Sequence, residues 1–326
     1  MQKKKSIIAI AGPTASGKSE LAVRLAKKFN GEIISADSRQ GYRGLDIGSG
    51  KVKGKWRKKI FIYKNIPHHC IDYVSPKKRH AVVDFQQCAY QAITDIHARG
   101  KIPFLVGGTG LYIDAVLNNT QFPSVPINPA LRKKLECLSA EKLFAMLKKK
   151  DKRRAATIDP HNKRRLIRAL EIVEKTKTII PSLNFGGVNT RRTPYNEVLL
   201  IGIKKDKKAL RAAITKRVRA MLKQGLIAET KKLRAASPAG EGLSWKRIAE
   251  FGFEYALPVA YLKNYITTKK ELEKKLIRAN LQYAKRQMTW FRHNKRIYWI
   301  ETLREAKTII KSFRSTRISY KSAEVK

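Results

Sequence analysis

Eight consecutive residues, Gly12, Pro13, Thr14, Ala15, Ser16, Gly17, Lys18 and Ser19, have the types and spacing that hold a polyphosphate. They match the phosphate-loop pattern G-x-x-x-x-G-K-[ST]. The two glycines let backbone N–H groups turn inward on an anion. A helix N-terminus behind them adds unsatisfied donors and partial positive charge. Lys18 reaches the outer phosphate, and the Ser19 hydroxyl can ligate Mg²⁺. The pattern is read as a real site rather than a chance match because its context is right. A strand-like apolar run, Ile7 to Ala11, precedes it, and helical spacing over Glu20 to Phe29 follows. The loop does not say whose phosphate it holds. A nucleoside triphosphate such as ATP is the default.

Two further stretches bear on that default. Ile34-Ser35-Ala36-Asp37-Ser38-Arg39-Gln40 places a carboxylate just beyond a second strand, Glu32 to Ser35. Ligands of open α/β sheets bind beyond the carboxyl ends of strands, so Asp37 belongs near the phosphate loop. A plain turn or cap residue is the competing reading of Asp37. A third strand, Ile102 to Val106, ends in Gly107-Gly108-Thr109-Gly110. A triphosphatase would hold an Asp there to coordinate Mg²⁺ through water. Two glycines and a hydroxyl stand there instead, which suits backbone close to an anion and one neutral donor.

The elements that position these groups follow from periodicity. Helices are expected over Ala81 to Arg99, Pro129 to Asp151, His161 to Thr176, Lys207 to Arg234 and Lys269 to Arg292. Further strands are expected over Glu197 to Ile203 and Arg296 to Ile300. Residues 41–59, rich in Gly and Lys, read as a mobile basic loop. The stretch between the third and fourth strands is far longer than a crossover needs. An inserted helical subdomain over residues 119–194 accounts for it, closed by a flexible return link at Gly186 to Thr190. The α/β core then comprises residues 1–118 and 195–326. The helix after the fourth strand carries Arg211, Arg217 and Arg219, and pattern alone does not say which one overlies the phosphate. Residues 302–326 read as a basic tail that frays or lies on a nucleic acid.

Composition points to the partner. The 326 residues include 71 Lys and Arg against 25 Asp and Glu, a net charge of +46. Such excess destabilises a compact fold by self-repulsion, so a polyanionic partner is expected, nucleic acid before an anionic membrane. A general lysine bias is the alternative. Cys70, Cys88 and Cys137 show no C-x-x-C spacing, which suggests a reducing compartment and no structural zinc. His68-His69-Cys70 is a poor metal site, since adjacent residues seldom ligate one ion unaided. No apolar run can span a bilayer. A cytoplasmic protein is expected.

Taken in order, several blocks amount to a resemblance. They are the phosphate loop, the Ile34–Gln40 block, Asp46-Ile47-Gly48-Ser49, Gly107 to Tyr112, Arg164-Arg165-Leu166-Ile167-Arg168-Ala169-Leu170-Glu171 and Ala284-Lys285-Arg286-Gln287-Met288-Thr289-Trp290. Together they resemble the tRNA dimethylallyltransferases, over about residues 6 to 300. The resemblance implies a P-loop, kinase-like parallel-sheet core with an inserted all-helical tRNA-binding subdomain. It implies transfer of a dimethylallyl group from dimethylallyl diphosphate to N6 of adenosine 37, in tRNAs that read codons beginning with U. The phosphate loop would then hold a leaving diphosphate, with Mg²⁺ at Ser19. Asp37 would be the general base, Thr109 a donor to the bridging oxygen, and Arg217 a stabiliser of the departing charge. Asp37, Ser38, Arg39, Gln40, Arg132, Arg164, Arg165 and Arg168 would hold the anticodon stem-loop. A monomer is expected. Two places depart from the family pattern: Gly48 to Val52, and Gly252-Phe253-Glu254-Tyr255, where Gly-Tyr-Lys/Arg-Glu is usual. A small-molecule or nucleoside kinase, and a nucleic-acid-stimulated NTPase, are the rival readings.

Overall fold

The computed structural model describes residues 6–176, 195, 197–235 and 242–315. The chain divides into two compact units, residues 1–119 with 186–326, and residues 120–185.

In the larger unit the first half runs β1 (Ser6–Ala11), α1 (Lys18–Lys28), β2 (Gly31–Ser35), β3 (Lys55–Arg57), β4 (Ile60–Tyr63), β5 (Ile66–His69), α2 (Val82–Ala98), β6 (Ile102–Gly107) and α3 (Gly110–Leu117). The smaller unit holds α4 (Pro129–Glu136), α5 (Ala140–Lys150), α6 (Lys152–Ala155) and α7 (Lys163–Thr176). The larger unit resumes with β7 (Glu197–Ile203), α8 (Lys207–Gln224), α9 (Leu226–Arg234), α10 (Trp245–Ala249), α11 (Phe253–Leu262), α12 (Lys269–Arg292), β8 (Tyr298–Ile300) and α13 (Leu303–Ser315).

The strands form one sheet in the order β3-β4-β5-β2-β6-β1-β7-β8. β1 lies between β6 and β7, parallel to both, with Ala11 opposite Gly107 and Gly202. β2 is parallel to β6, with Ser35 opposite Val106. This register brings β1, β2 and β6 to an end along one edge, so the segments starting at Gly12, Ala36 and Gly108 leave the sheet side by side. β1 is apolar at consecutive positions because it is covered on both faces. Ile7 and Ala9 pack toward Phe85, Ile93 and Ile96 of α2 and Ile113 of α3. Ile8 and Ile10 pack toward Leu25 of α1 and Ile310 and Phe313 of α13.

Several expectations change. Residues 41–59 are not a loose loop. Backbone bonds such as Gly50 N–H to the Ile47 carbonyl (3.0 Å) fold the first part into turns, and β3 begins the antiparallel edge of the sheet. Lys51 is the reason the segment holds: its buried ammonium donates to Asp46 (2.6 Å), Asp72 (2.7 Å) and the Tyr42 carbonyl (2.9 Å). The helix expected over Lys207 to Arg234 breaks at Gly225, whose φ is 100°. The one expected over Pro129 to Asp151 breaks before Ser139, which caps α5 by accepting from Lys142 N–H. The basic tail contains α13, which buries Ala306, Ile310 and Phe313 on the core at helical spacing. The return link at Gly186 to Thr190 and residues 316–326 lie outside the described residues.

Cys70 and Cys88 form a disulfide with Cα atoms 6.0 Å apart. This departs from the reading of the cysteines as those of a reducing compartment. The pairing comes from packing of α2 against the end of β5, which sequence spacing does not reveal. His69 Nε2 bonds Glu32 at 2.7 Å and His68 Nδ1 bonds the Ile66 carbonyl at 2.9 Å, so both rings have protein partners. No helix among the described residues is long and apolar enough to cross a membrane.

The smaller unit has its own core, including Leu135, Leu143, Leu147, Leu166 and Leu170. Glu171, only 1% exposed, anchors it. It accepts from Arg132 at 2.7 and 3.0 Å, from Asn128 N–H at 2.7 Å and from Arg168. Arg168 also donates to the Val125 carbonyl at 2.9 Å. These donors hold the Glu171 carboxyl down at about 2 against the opposing effect of burial.

Candidate active site

A cleft of about 420 Å³ opens at the edge where β1, β2 and β6 end, in the larger unit. Its floor is the phosphate loop. Lys18 opens α1 and folds back, donating from Nζ to the Pro13 carbonyl at 2.6 Å. Burial, helped by the neighbouring Arg217 charge and opposed by Asp37, pushes its pKa down to about 7. Arg217 reaches in from α8. Its Nη2 donates to the Ser49 carbonyl at 3.5 Å, and its buried Nε has no protein partner among the described residues. Ser16 Oγ is likewise buried without one. Two crowded cations and orphaned donors around a loop of N–H groups make a cradle for a multiply charged anion.

Asp37 lines the same cleft, close enough to Lys18 and Arg217 to interact with both charges. Its Oδ1 accepts from Arg39 N–H at 2.8 Å and Gln40 N–H at 3.4 Å. It is thus a turn residue and a cleft residue at once. Thr109 Oγ1 accepts from Ser38 N–H at 3.4 Å, and Tyr283 lines the same cleft. Thr14, Lys18, Ser19, Asp37 to Gln40, Thr109 and Arg217 all line this one cleft. Gln40 is largely committed to shape: it accepts from Ser35 Oγ at 2.9 Å, and its amide faces the Ser49 and Gly50 carbonyls at 3.5 and 3.4 Å.

Arg132, Arg164, Arg165 and Arg168 belong to the smaller unit. Arg164 and Arg165 are exposed on the first turn of α7. Arg132 and Arg168 are bound to Glu171, so part of their donor capacity goes into that unit's own core.

Five residues in or beside the site carry no role in the sequence reading. Gln287 of α12 accepts from Thr14 N–H at 2.8 Å and donates to the Gly108 carbonyl at 2.8 Å, tying the phosphate loop to the β6 turn. Gly108 must be glycine, because a Cβ there would lie 2.2 Å from Gln287 Nε2. Three residues on, Trp290 Nε1 donates to Asp114 at 2.9 Å and fixes the same helix against α3. The Ala284–Trp290 block therefore has a physical content that its composition does not display. Tyr283, one turn earlier, sits edge-on to Phe253 with ring centroids 5.9 Å apart. Glu254 is the second carboxyl of the cleft. Burial raises its pKa to about 7, against the pull of Arg217 and Arg39. Glu229, on α9, accepts from the Tyr255 hydroxyl and from three backbone N–H groups of the 46–48 turn. The departure at 252–255 thus places Glu254 in the cleft and Tyr255 behind it.

A phosphate loop ending the first strand of a sheet whose parallel part runs β5-β2-β6-β1-β7-β8, with a carboxylate in the same cleft, defines a P-loop, kinase-like α/β enzyme. Residues 40–294 match the family described as IPP transferase, and residues 5–63 match isopentenyl transferase. The chain belongs to the IPP transferase family. It is 39% identical to tRNA dimethylallyltransferase 1 of Geotalea uraniireducens, covering 94% of this chain and 97% of the relative. It is 40% identical to the tRNA dimethylallyltransferase of Anoxybacillus flavithermus, covering 90% of each. Among solved structures it is similar to the tRNA isopentenylpyrophosphate transferase of Bacillus halodurans, with TM-score 0.66, 35% identity and coverage of 96% and 97%. A eukaryotic dimethylallyltransferase acting on tRNA matches with TM-score 0.74 and 25% identity, covering 97% of this chain and 81% of its own.

Proposed function

We propose that this protein transfers a dimethylallyl group from dimethylallyl diphosphate to N6 of adenosine 37 in the anticodon loop of tRNAs reading codons that begin with U. The single observation that carries the reading is that Asp37 lines the same cleft as Lys18 and Arg217 and interacts electrostatically with both. An alkylation needs both: a base for the acceptor amine and a fixed cationic seat for the leaving group. Relatives named tRNA dimethylallyltransferase favour this over a kinase.

The bookkeeping of the step is simple. The bond from the allylic carbon to the bridging oxygen breaks, and the electron pair leaves with diphosphate. The N6–carbon bond forms, and one N6 proton passes to Asp37. An exocyclic adenine amine is a very weak acid, so proton removal accompanies or follows bond formation. Thr109, already accepting from Ser38 N–H, turns its own proton toward the bridging oxygen. Lys18, Arg217 and the loop N–H groups take the growing charge, each such contact being worth ~3 kcal/mol in the transition state.

The donor set suits Mg²⁺ carried by the diphosphate. Ser19 offers one hard oxygen beside the phosphate seat, and Mg²⁺ characteristically takes its remaining ligands from phosphates and water. When bound there, the ion neutralises diphosphate charge. The tRNA is held by charge: Arg164, Arg165 and the lysine-rich surface contact phosphates, with Ser38 and Arg39 near the target base. Adenosine 37 must leave its stack to reach Asp37, at a cost of a few kcal/mol offset by those contacts. The protein acts as a cytoplasmic monomer.

The test is incubation with dimethylallyl diphosphate and unmodified tRNA, followed by mass spectrometry of the nucleosides. Prenylated adenosine without ATP is expected. Asp37→Ala should nearly abolish it while tRNA binding is retained. ATP turnover with no prenylated tRNA would sink the reading.

A further inference from the structure

Outside the reacting groups, Glu229 of α9 is a carboxylate with four protein donors. Its Oε2 accepts from Ile47 N–H at 2.7 Å and Asp46 N–H at 3.1 Å. Its Oε1 accepts from Gly48 N–H at 3.1 Å and from the fully buried Tyr255 hydroxyl at 2.9 Å. Three successive N–H groups converging on one anion form a nest, the arrangement that usually receives an external phosphate. Here a side chain from α9, more than 180 residues on, occupies it. The turn so fixed continues directly into the cleft. Ser49 Oγ donates back to the Leu45 carbonyl, and the Ser49 and Gly50 carbonyls receive Gln40 and Arg217.

We infer that Glu229 is a positioning residue of the cleft: its carboxylate is the fixed anion that folds the 46–50 turn, and through Ser49 and Gly50 it sets the guanidinium of Arg217 and the amide of Gln40. The links are short: Gly48 N–H donates to Glu229, the next carbonyl, that of Ser49, receives Arg217, and the one after it, that of Gly50, receives Gln40. Without the carboxylate, three N–H groups converge on nothing and the turn loses the reason for its shape. Arg217 then loses the backbone that holds it over the phosphate loop. Displacements of about 1 Å at such a site cost on the order of 100-fold in rate.

The kinetic arm of the test rests on the prenyl-transfer reading; the exchange arm does not. Glu229→Ala is compared with the unaltered protein by amide hydrogen exchange and by steady-state kinetics. Amides 46–48 should exchange at least roughly tenfold faster while those of β1 keep their protection. The kcat for transfer should fall at least roughly tenfold, with tRNA affinity within about threefold. Acetate, a free carboxylate small enough to enter the nest, should restore a large part of the loss, and chloride at equal ionic strength should not. Unchanged exchange at 46–48, an unchanged kcat, or a loss that acetate reverses no better than chloride overturns the proposal. If Glu229→Ala also loses β1 protection, the isosteric Glu229→Gln carries the test. It keeps one acceptor oxygen for the four donors, and unaltered exchange and kcat in that variant overturn the proposal equally. If the unaltered protein prenylates no tRNA, the functional reading fails, and exchange at 46–48 with and without acetate still decides the role of Glu229.

Discussion

Gln287 Nε2 donates to the Gly108 carbonyl at 2.8 Å, across 179 residues of sequence. The other end of the same amide accepts from Thr14 N–H at 2.8 Å. One side chain on α12 therefore spaces the anion-binding loop from the turn that carries Thr109. The spacing between the phosphate loop and Thr109 is set from a third element.

Gln287→Ala should separate these functions. Removing the amide leaves a buried N–H and a buried carbonyl unpaired, at ~1–3 kcal/mol each. The expected result is a fall in kcat of roughly tenfold or more with little change in tRNA affinity. Gln287→Glu should be worse. Its carboxylate still accepts from Thr14 but repels the Gly108 carbonyl and adds negative charge beside the anion seat. Steady-state kinetics and a tRNA filter-binding assay distinguish the two effects.

Diphosphate binding should take up a proton at Lys18. Its pKa is held down to about 7 by burial and by Arg217. A bound anion restores it toward the ordinary value of about 10.4. Between these limits the free protein lacks a proton that the complex holds, so this linkage weakens binding as pH rises through that window. The sign is opposite for folding, where the unfolded chain is the state that holds the extra proton. The buried ammonium costs stability below about pH 7, and that cost fades as pH rises toward 10. Calorimetry of inorganic diphosphate at pH 8, in two buffers of different ionisation enthalpy, should show about one more proton taken up than in Lys18→Arg, whose guanidinium stays charged. Equal uptake in both proteins would remove Lys18 from the account.

The smaller unit should lose stability in acid through Glu171. Its carboxyl is held at about 2 by Arg132, Asn128 and Arg168. A depressed carboxylate contributes stability that is complete above its unfolded value of about 4.3 and is lost as pH falls toward 2. Partial exposure of both arginines tempers the gain, leaving about 2 kcal/mol. Glu171→Gln should bring early proteolysis of residues 120–176 at pH 7. At pH 3 the difference from the unaltered protein should shrink. A pH-independent difference would mean that packing, rather than the ion pairs, is responsible.

Much of the fold was legible because its signals are local. Ile7 to Ala11 is apolar at every position, which marks a strand covered on both faces. The spacing of Leu272, Leu276, Ala284 and Phe291 gives α12 its buried stripe. The strands β3 to β5 escaped notice because each is only three or four residues long, and β3, wholly exposed, sits in a lysine-rich stretch that resembles a loop. Helix breaks at Gly225 and before Ser139 turn on single caps within otherwise continuous amphipathic patterns.

The site divides along the same line. Residues 12–19, with their glycines, lysine and hydroxyl, mark by themselves a candidate anion site, since the chemistry lies in backbone N–H groups of one short segment. Asp37 and Thr109 follow from strand ends, because a parallel sheet delivers its strand ends to one edge. Tertiary structure alone decided that Gln287 joins Thr14 to Gly108, that Glu229 holds the 46–48 turn and that Glu254 enters the cleft. The physical reason is range. A hydrogen bond within a turn is encoded by neighbours a few residues apart, whereas a carboxylate or amide that finds its partner across more than a hundred residues is encoded only by the packing that brings two helices to the same edge of the sheet.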